Sequence, residues 1–177
     1  MKRTRANSFR LMLMLLILLV DGADYVDIAA FALRLGATEV GYTHGILPSV
    51  YHPMIRVEAA RALSLSSYGE ARLHLIDAIR NDPEGLVRAE AMLALAAQNR
   101  AQPNEMLLEL ALAMREEANV GRDRYVLVSG MEAMKQIGRR ADLETLDPLV
   151  HQVLVEIASS GLNQIVRERA VSTLTSL

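Results

Sequence analysis

Histidine has the widest chemical repertoire of the side chains in this sequence, and the chain has four of them, His44, His52, His74 and His151. Two imidazoles bind a metal ion together when a helix places them one turn apart, as in the spacing H-E-x-x-H. None of the four has that spacing, and His74 and His151 are far apart along the chain. We therefore interpret each histidine as a surface or edge residue and expect no metal site.

The other common catalytic motifs are also missing from the sequence. Cysteine is absent, which excludes a thiolate nucleophile, a thiolate zinc site and a disulfide framework. There is no Gly-rich phosphate-binding loop, and no serine lies in a G-x-S-x-G motif. We therefore expect a protein that is not an enzyme, with no catalytic residues and no cofactor.

The composition indicates which elements carry these side chains. The chain has 177 residues, enough for one domain with an appendage. Hydrophobic residues make up 51% of the chain but aromatic residues only 4%, and an apolar content held in Ala, Leu, Val, Ile and Met favours packed helices over a β-sandwich. The net charge of −2 argues against nucleic-acid binding, which needs a basic surface. An all-α protein is predicted.

The first 22 residues differ from the rest of the chain. Four basic residues precede the first acidic one, and residues 11–20 form an unbroken apolar run of ten. A membrane-spanning helix needs about 20 apolar residues, whereas a basic start followed by a shorter apolar run is typical of a secretory signal peptide. We expect cleavage after Gly22 or Ala23, which would leave an acidic body in the periplasm or in another exported location.

Two other interpretations of residues 1–22 remain open. An uncleaved segment would anchor the protein to the inner membrane, with residues 9–20 as its membrane contact and the body as a cytoplasmic scaffold. Alternatively, the segment is an apolar helix that caps a soluble domain.

The remainder of the chain contains a repeated helical pattern. Segments 55–63, 87–95, 126–134 and 166–174 align with one another, and residues 25–33 form a weaker copy. The fifth position of each is small and the ninth is large and apolar. Positions four apart share a helix face, so the small residue lets a neighbouring helix approach while the large one fills the space beside it. The small residues are Ala29, Ala59, Ala91, Gly130 and Ala170, and the large ones are Leu33, Leu63, Leu95, Met134 and Leu174.

A second amphipathic helix is predicted after each of three copies, at residues 70–80, 104–117 and 143–159. Turn-forming residues separate the helices at 81–85, 102–104 and 161–163. No stretch shows the sustained period of two that a half-buried strand requires. We therefore expect helical hairpins and no sheet.

Residues 81–95, NDPEGLVRAEAMLAL, resemble the turn and first helix of a HEAT repeat, and weaker copies begin at residues 52 and 163. The resemblance covers residues 24–177. It implies an α-solenoid of about four to five HEAT-like hairpins, since one repeat cannot bury its own apolar face. An irregular helical bundle is the alternative fold.

The resemblance also implies roles for particular residues. In HEAT repeats an arginine of the first helix contributes to a hydrogen-bond ladder between neighbouring repeats, a position that Arg56, Arg88 and Arg167 occupy here. The ladder should be broken where Val26 and Leu127 replace the arginine. Some HEAT-like proteins are enzymes, and a bilin-lyase-type activity is the alternative function, although no residue of this sequence points to it.

Protein binding is the function that the resemblance favours, because second helices usually line one long surface of a solenoid. Polar positions at i, i+4 and i+7 of the predicted second helices form a mostly acidic strip. The strip is either an ordinary solvated face or a docking surface for a basic or polar segment of another protein. Its residues are Glu70, His74, Asp77, Glu105, Glu109, Glu116, Glu144, Asp147 and His151.

The last predicted helix, from residue 165, has an apolar face and no following helix to cover it. That face consists of Val166, Ala170, Leu174 and Leu177. Either this helix is the second half of a terminal pair, or its open face binds another molecule, since solenoid ends need a polar outer face to stay soluble. We therefore expect a homo-oligomer or a larger assembly.

Overall fold

The computed structural model describes residues 22–34, 53–66, 68–98, 102–120, 123–141 and 146–177. Within these ranges every regular element is an α-helix and no strand occurs, which confirms the predicted all-α class. The predicted signal or anchor segment at residues 1–21, together with His44, His52 and Glu144, lies outside them. The helices are α1 (Gly22–Arg34), α2 (Pro53–Ser64), α3 (Gly69–Asn81), α4 (Gly85–Ala97), α5 (Pro103–Val120), α6 (Arg124–Gly138), α7 (Pro148–Ser159) and α8 (Gln164–Leu174).

The described helices form two rows, in which every second helix along the chain is a neighbour. Row A consists of α2, α4, α6 and α8, each packed against the next, and row B consists of α1, α3, α5 and α7. Between the rows, α1 packs on α2, α3 on α4, α5 on α6 and α7 on α8. These four helix pairs are numbered one to four along the chain.

The pairing between the rows differs from the sequence-based expectation. The sequence pattern joins each repeat helix to the second helix that follows it, whereas α3 and α5 pack more extensively on the helix after them than on the helix before. Connection lengths explain the difference. Residues 82–84 join α3 to α4, while the longer segment 98–102 joins α4 to α5, and short connections hold two helices side by side.

The weak copy of the repeat at residues 25–33 lies in the other row. The four stronger copies form α2, α4, α6 and α8, which together are row A, but α1 contacts both α2 and α3, as a row B helix does. Its small and large residues, Ala29 and Leu33, are nevertheless buried. Both rows bury one helix face, so the nine-residue pattern does not distinguish them.

The predicted small and large residues form the core of row A. Ala59, Ala91 and Ala170 are fully buried. A Cβ atom at Gly130 would lie 2.6 Å from Met114 Sδ and 2.7 Å from Met114 Cγ, which is well inside van der Waals contact. The missing side chain of Gly130 therefore allows α5 to approach α6, as the pattern predicts.

The apolar face of α8 is covered. Val166 and Ala170 are buried, and Leu174 and Leu177 pack partly buried against the core, because α8 contacts both α7 and α6. Of the two expectations, α8 is the second half of a terminal pair. The prediction that these four residues form an open binding face is wrong.

Side chains before the last three helices define where those helices begin. Asp123, Asp147 and Asn163 each accept a hydrogen bond from the backbone N–H two residues later, at the N-caps of α6, α7 and α8. Helix α7 consequently begins at Pro148 rather than at the predicted residue 143. None of the described helices combines the length and the apolar character that a membrane crossing requires.

Candidate interaction surface

The first three residues of the predicted acidic strip lie on α3. Glu70 and Asp77 are exposed and His74 is half-buried. His74 and Asp77 line a depression of about 440 Å³ together with Arg34 of α1. Asp77 also accepts a 2.7 Å hydrogen bond from Asn81 Nδ2 on its own helix. The structure therefore brings His74 and Asp77 together beside α1.

Two of the three strip residues on α5 are already paired with cations. Arg72 Nη1 lies 3.2 Å from Glu105 Oε2, and Arg80 Nη2 donates to Glu109 Oε2. Glu116 is exposed and forms no ion pair with another described residue. The α5 part of the strip is therefore less acidic than the sequence suggests.

A third arginine continues this ion pairing to α7. Arg115 Nε lies 3.1 Å from Glu156 Oε2, and both side chains are 40% exposed. The sequence pattern missed all three arginine–glutamate contacts of row B, because their partners are 29 to 41 residues apart. They connect α3 to α5 and α5 to α7, so interhelical ion pairs link three of the four row B helices.

The strip residues assigned to the third predicted second helix do not form a common face. Asp147 is the N-cap of α7 and accepts a 2.8 Å hydrogen bond from Leu149 N, so its carboxylate stabilises the helix start. His151 is exposed on α7, and Glu144 lies outside the described residues. The Asp147–Pro148 dipeptide is a recognised helix-start signal that the strip prediction did not use.

Exposed apolar side chains accompany the charged ones on row B, and the sequence-based strip did not include them. Leu73 is 60% exposed, Leu112 41% and Val155 42%. Each lies on a different helix, on the side opposite that helix's buried residues. An apolar residue at a position where the helix pattern expects a polar one is the signal that identifies them.

We define the row B face as the exposed surface that these helices share. It combines apolar side chains with carboxylates that have no cationic partner among the described residues. Its residues are Glu70, Leu73, Asp77, Leu112, Glu116 and Val155.

Row A carries a chain of buried polar contacts. Arg56 donates through Nε and Nη2 to the Asp82 carboxylate at 2.7 and 3.0 Å, and both side chains are 2% exposed. Arg88 donates to the carbonyl oxygens of Asp82 and Pro83, and its Nη2 donates to the Glu117 carboxylate at 3.0 and 3.1 Å. These contacts link pairs one, two and three in succession.

The other three positions of the expected arginine ladder differ from Arg56 and Arg88, and Val26 in the first of them is buried and apolar. Leu127 is buried and apolar, so the ladder stops at pair three. Arg167 is exposed on α8. The first two rungs of the ladder are therefore present in the structure, and the third arginine faces solvent.

Burial and pairing shift the pKa of two further side chains. Burial raises the pKa of the Tyr25 hydroxyl to about 12, and this hydroxyl has no hydrogen-bond partner among the described residues. The hydrogen bonds from Arg61 to Glu90 raise the pKa of the Arg61 guanidinium. Neither residue lies on the row B face.

Within the described residues, no group of three or more histidine and acidic side chains is placed to hold a metal ion. The features that could contact another molecule are therefore the row B face and the exposed ends of the two rows. No family model, no curated protein and no solved structure matches the chain.

Proposed function

We propose that this protein is a non-enzymatic scaffold or adaptor, built as a HEAT-like α-solenoid, and that it works as a component of a larger assembly in the cell envelope. Two features support the solenoid arrangement. Each row adds one helix per pair, and the junctions between pairs repeat one chemistry, arginine on one pair and a carboxylate on the next. In an irregular bundle, the contacts between successive helix pairs would not be expected to repeat the same arginine–carboxylate chemistry.

The row B face is the proposed docking surface, and its composition supports the choice of partner. Glu70 and Glu116 are exposed carboxylates without a cation among the described residues, and Leu73, Leu112 and Val155 present apolar surface beside them. A basic segment with apolar side chains at helical spacing would match both properties. The single observation that carries this proposal is that exposed carboxylates without a described cationic partner lie beside exposed apolar residues on neighbouring helices of row B.

A titration with a synthetic amphipathic peptide tests this docking surface. The probe is a helical peptide of lysine and leucine, and its counterpart replaces every lysine with glutamate. We expect the lysine peptide to shift backbone amide signals of α3, α5 and α7 in the full chain, and to bind more weakly as salt is added. Preferential shifts in α2, α4 and α6, or equal binding of the glutamate peptide, would contradict the proposal.

Charge reversal gives the matched control. Glu105 and Glu109 are unsuitable because they pair with Arg72 and Arg80, so the test variant is Glu70→Lys with Glu116→Lys. Its affinity for the lysine peptide should fall about fivefold or more, which corresponds to about 1 kcal/mol. The two reversals are also made singly, and the control for each single reversal is one exposed acid elsewhere, Glu84→Lys, which should leave the affinity within about twofold.

The cellular location in this proposal rests on the sequence of residues 1–22, whose basic start and short apolar run are typical of an export signal. The mass of the mature protein from its native host tests it. A chain that begins at Ala23 or Asp24 would support export, and an intact Met1 would contradict it.

A further inference from the structure

The row A helices share a stripe of residues that faces the next helix pair. In the aligned copies its first position is Arg56, Arg88 or Leu127, and all three are buried. The position four residues later, occupied by Ala60, Met92 and Met131, is also fully buried. A third position lies four residues further on. We call these three positions of each row A helix the forward stripe, since positions four apart lie on one helix face.

Hydrogen bonds show which way the forward stripe points. Arg56 of pair one donates to Asp82 of pair two, and Arg88 of pair two donates to Glu117 of pair three. Lys135 Nζ, at the last position of the stripe in pair three, donates to Ser172 Oγ of pair four at 2.7 Å. The stripe is therefore the surface on which the following pair docks.

Helix α8 exposes the same stripe. Its three positions are Arg167, Val171 and Thr175, all of them exposed, with Val171 at 52%. They line a shallow depression of about 520 Å³, together with Ala158 of α7 and with Gln164, Glu168 and Ser172 of α8. We call this surface the end face. It presents the apolar side chain of Val171 and the cation of Arg167 at positions that are buried in the first three pairs, with the exposed carboxylate of Glu168 beside them.

Ion pairs between successive helix pairs have a consistent direction. In six of the seven that join described residues, the arginine belongs to the earlier pair and the carboxylate to the later one, and Arg169–Glu132 is the exception. The six are Arg56–Asp82, Arg61–Glu90, Arg72–Glu105, Arg80–Glu109, Arg88–Glu117 and Arg115–Glu156. A molecule that docks on the end face in the same manner would bring carboxylates to Arg167.

Helix α1, the first of the described helices, carries such a surface. Asp24, Asp27, Ile28 and Phe31 lie on one side of α1, and all four are exposed, Phe31 by 64%. These positions follow the spacing i, i+3, i+4 and i+7 of a single helix face. The α1 face thus combines two carboxylates with apolar surface, which complements Arg167 and the exposed Val171 side chain of the end face.

We propose that the end face of one molecule binds the α1 face of a second copy of this chain, so that molecules associate head to tail. Such a contact joins two different surfaces and leaves one of each free. Association therefore continues beyond a dimer as the concentration rises. The end face is separate from the row B face, so either surface can fail its test without affecting the other.

Sedimentation velocity over a concentration series of the full chain tests this contact. We expect the sedimentation coefficient of the unaltered protein to rise with concentration, and Val171→Asp to remain a single slow species. Ile165→Asp is the matched control, because Ile165 is exposed on α8 but does not line the depression, and it should associate like the unaltered chain.

A protein that stays monomeric at every concentration would overturn the proposal. Equal association of Val171→Asp and the unaltered chain would also overturn it, since every variant keeps the apolar run of residues 11–20 and association through that run would survive the substitution.

Mixing two variants tests the head-to-tail geometry and guards against misfolding. Asp24→Lys with Asp27→Lys should also be monomeric alone, because its α1 face repels Arg167. Mixed with Val171→Asp it should form a complex of one molecule of each, joined by the one intact contact, and no larger species. Circular dichroism of each variant alone shows whether it is folded, and absence of the complex between two folded variants would overturn the proposal.

Discussion

At the scale of single residues, the chemistry of this chain lies in buried pairs. Arg56 and Asp82 share two hydrogen bonds and are almost completely buried, so loss of Arg56 would leave the Asp82 carboxylate buried without this cation, at a cost of about 3–5 kcal/mol. The Arg61–Glu90 pair lies nearer the surface, with Arg61 44% exposed, and surface pairs contribute about 1 kcal/mol or less. The buried pairs therefore matter more to the positions of the helices.

Tyr25 provides a pH-dependent test at this scale. Burial raises the pKa of its hydroxyl to about 12 from the ordinary value of 10.0. Between these pH values the unfolded chain loses the proton while the folded chain keeps it. The free energy of unfolding should therefore fall as the pH rises from 10 to 12, by up to about 3 kcal/mol, since one pKa unit corresponds to about 1.4 kcal/mol.

Tyr25→Phe should abolish this part of the alkaline loss, as measured by urea unfolding at a series of pH values. Near neutral pH it should also stabilise the protein by about 1 kcal/mol, because it removes a buried hydroxyl without a described partner. Tyr125→Phe is the control, since Tyr125 is 47% exposed, and its alkaline profile should match that of the unaltered protein. An unchanged profile in Tyr25→Phe would show that Tyr25 ionises equally in both states.

At the scale of helices, close approach at one glycine determines how α5 and α6 pack. Gly130 faces Met114 and Met92, both fully buried. A methyl group at residue 130 would gain about 1 kcal/mol of helix propensity. It would also overpack a filled core, which costs about 1–3 kcal/mol. Methionine side chains are flexible, but they can relieve this overpacking only where they have free space to move into.

Gly130→Ala should therefore lower the free energy of unfolding by about 1 kcal/mol, as measured by urea denaturation. Gly161→Ala is the same chemical change where a Cβ atom would have no neighbour within 4 Å, and it should be neutral or slightly stabilising. If Gly130→Ala were the more stable of the two variants, the contact between α5 and α6 would be looser than described here.

Individual helices show what the sequence could and could not predict. The buried faces of α2, α4 and α6 were predictable, because small and large residues recur at fixed spacing along one helix. The row to which α1 belongs was not, because Ala29 and Leu33 fit a buried face in either row. The ion pair between Glu109 and Arg80 could not be predicted either, since it depends on the register between two helices and not on the spacing of residues within one helix.

Some features of the candidate surface could also be predicted from the sequence, and others could not. Exposure of Glu70 and Glu116 followed from the helix pattern, and the role of Asp147 as a cap was readable from the proline that follows it. Leu73, Leu112 and Val155 lie at positions where the helix pattern expects polar residues, and this is the signal of their exposure. The strip prediction left them out because apolar residues on a short helix are normally assigned to its buried side.

At the scale of the whole molecule, the described helices form a row of pairs, and among the described residues each pair packs only against its neighbours. The free energy of unfolding is then distributed along the chain, and a substitution that destabilises one pair mainly destabilises the neighbouring pair. In an irregular bundle, which is the alternative fold, all helices share one core, and a destabilising substitution at any point lowers the stability of every helix.

Native-state hydrogen exchange of Leu63→Ala tests this claim most directly. Leu63 of α2 is fully buried, and its truncation should cost about 2–5 kcal/mol locally. We predict that amides of α1, α2 and α3 exchange much faster in the variant, while those of α7 and α8 exchange at nearly unchanged rates. Equal acceleration in all helices would contradict the account, because it would show a single shared core.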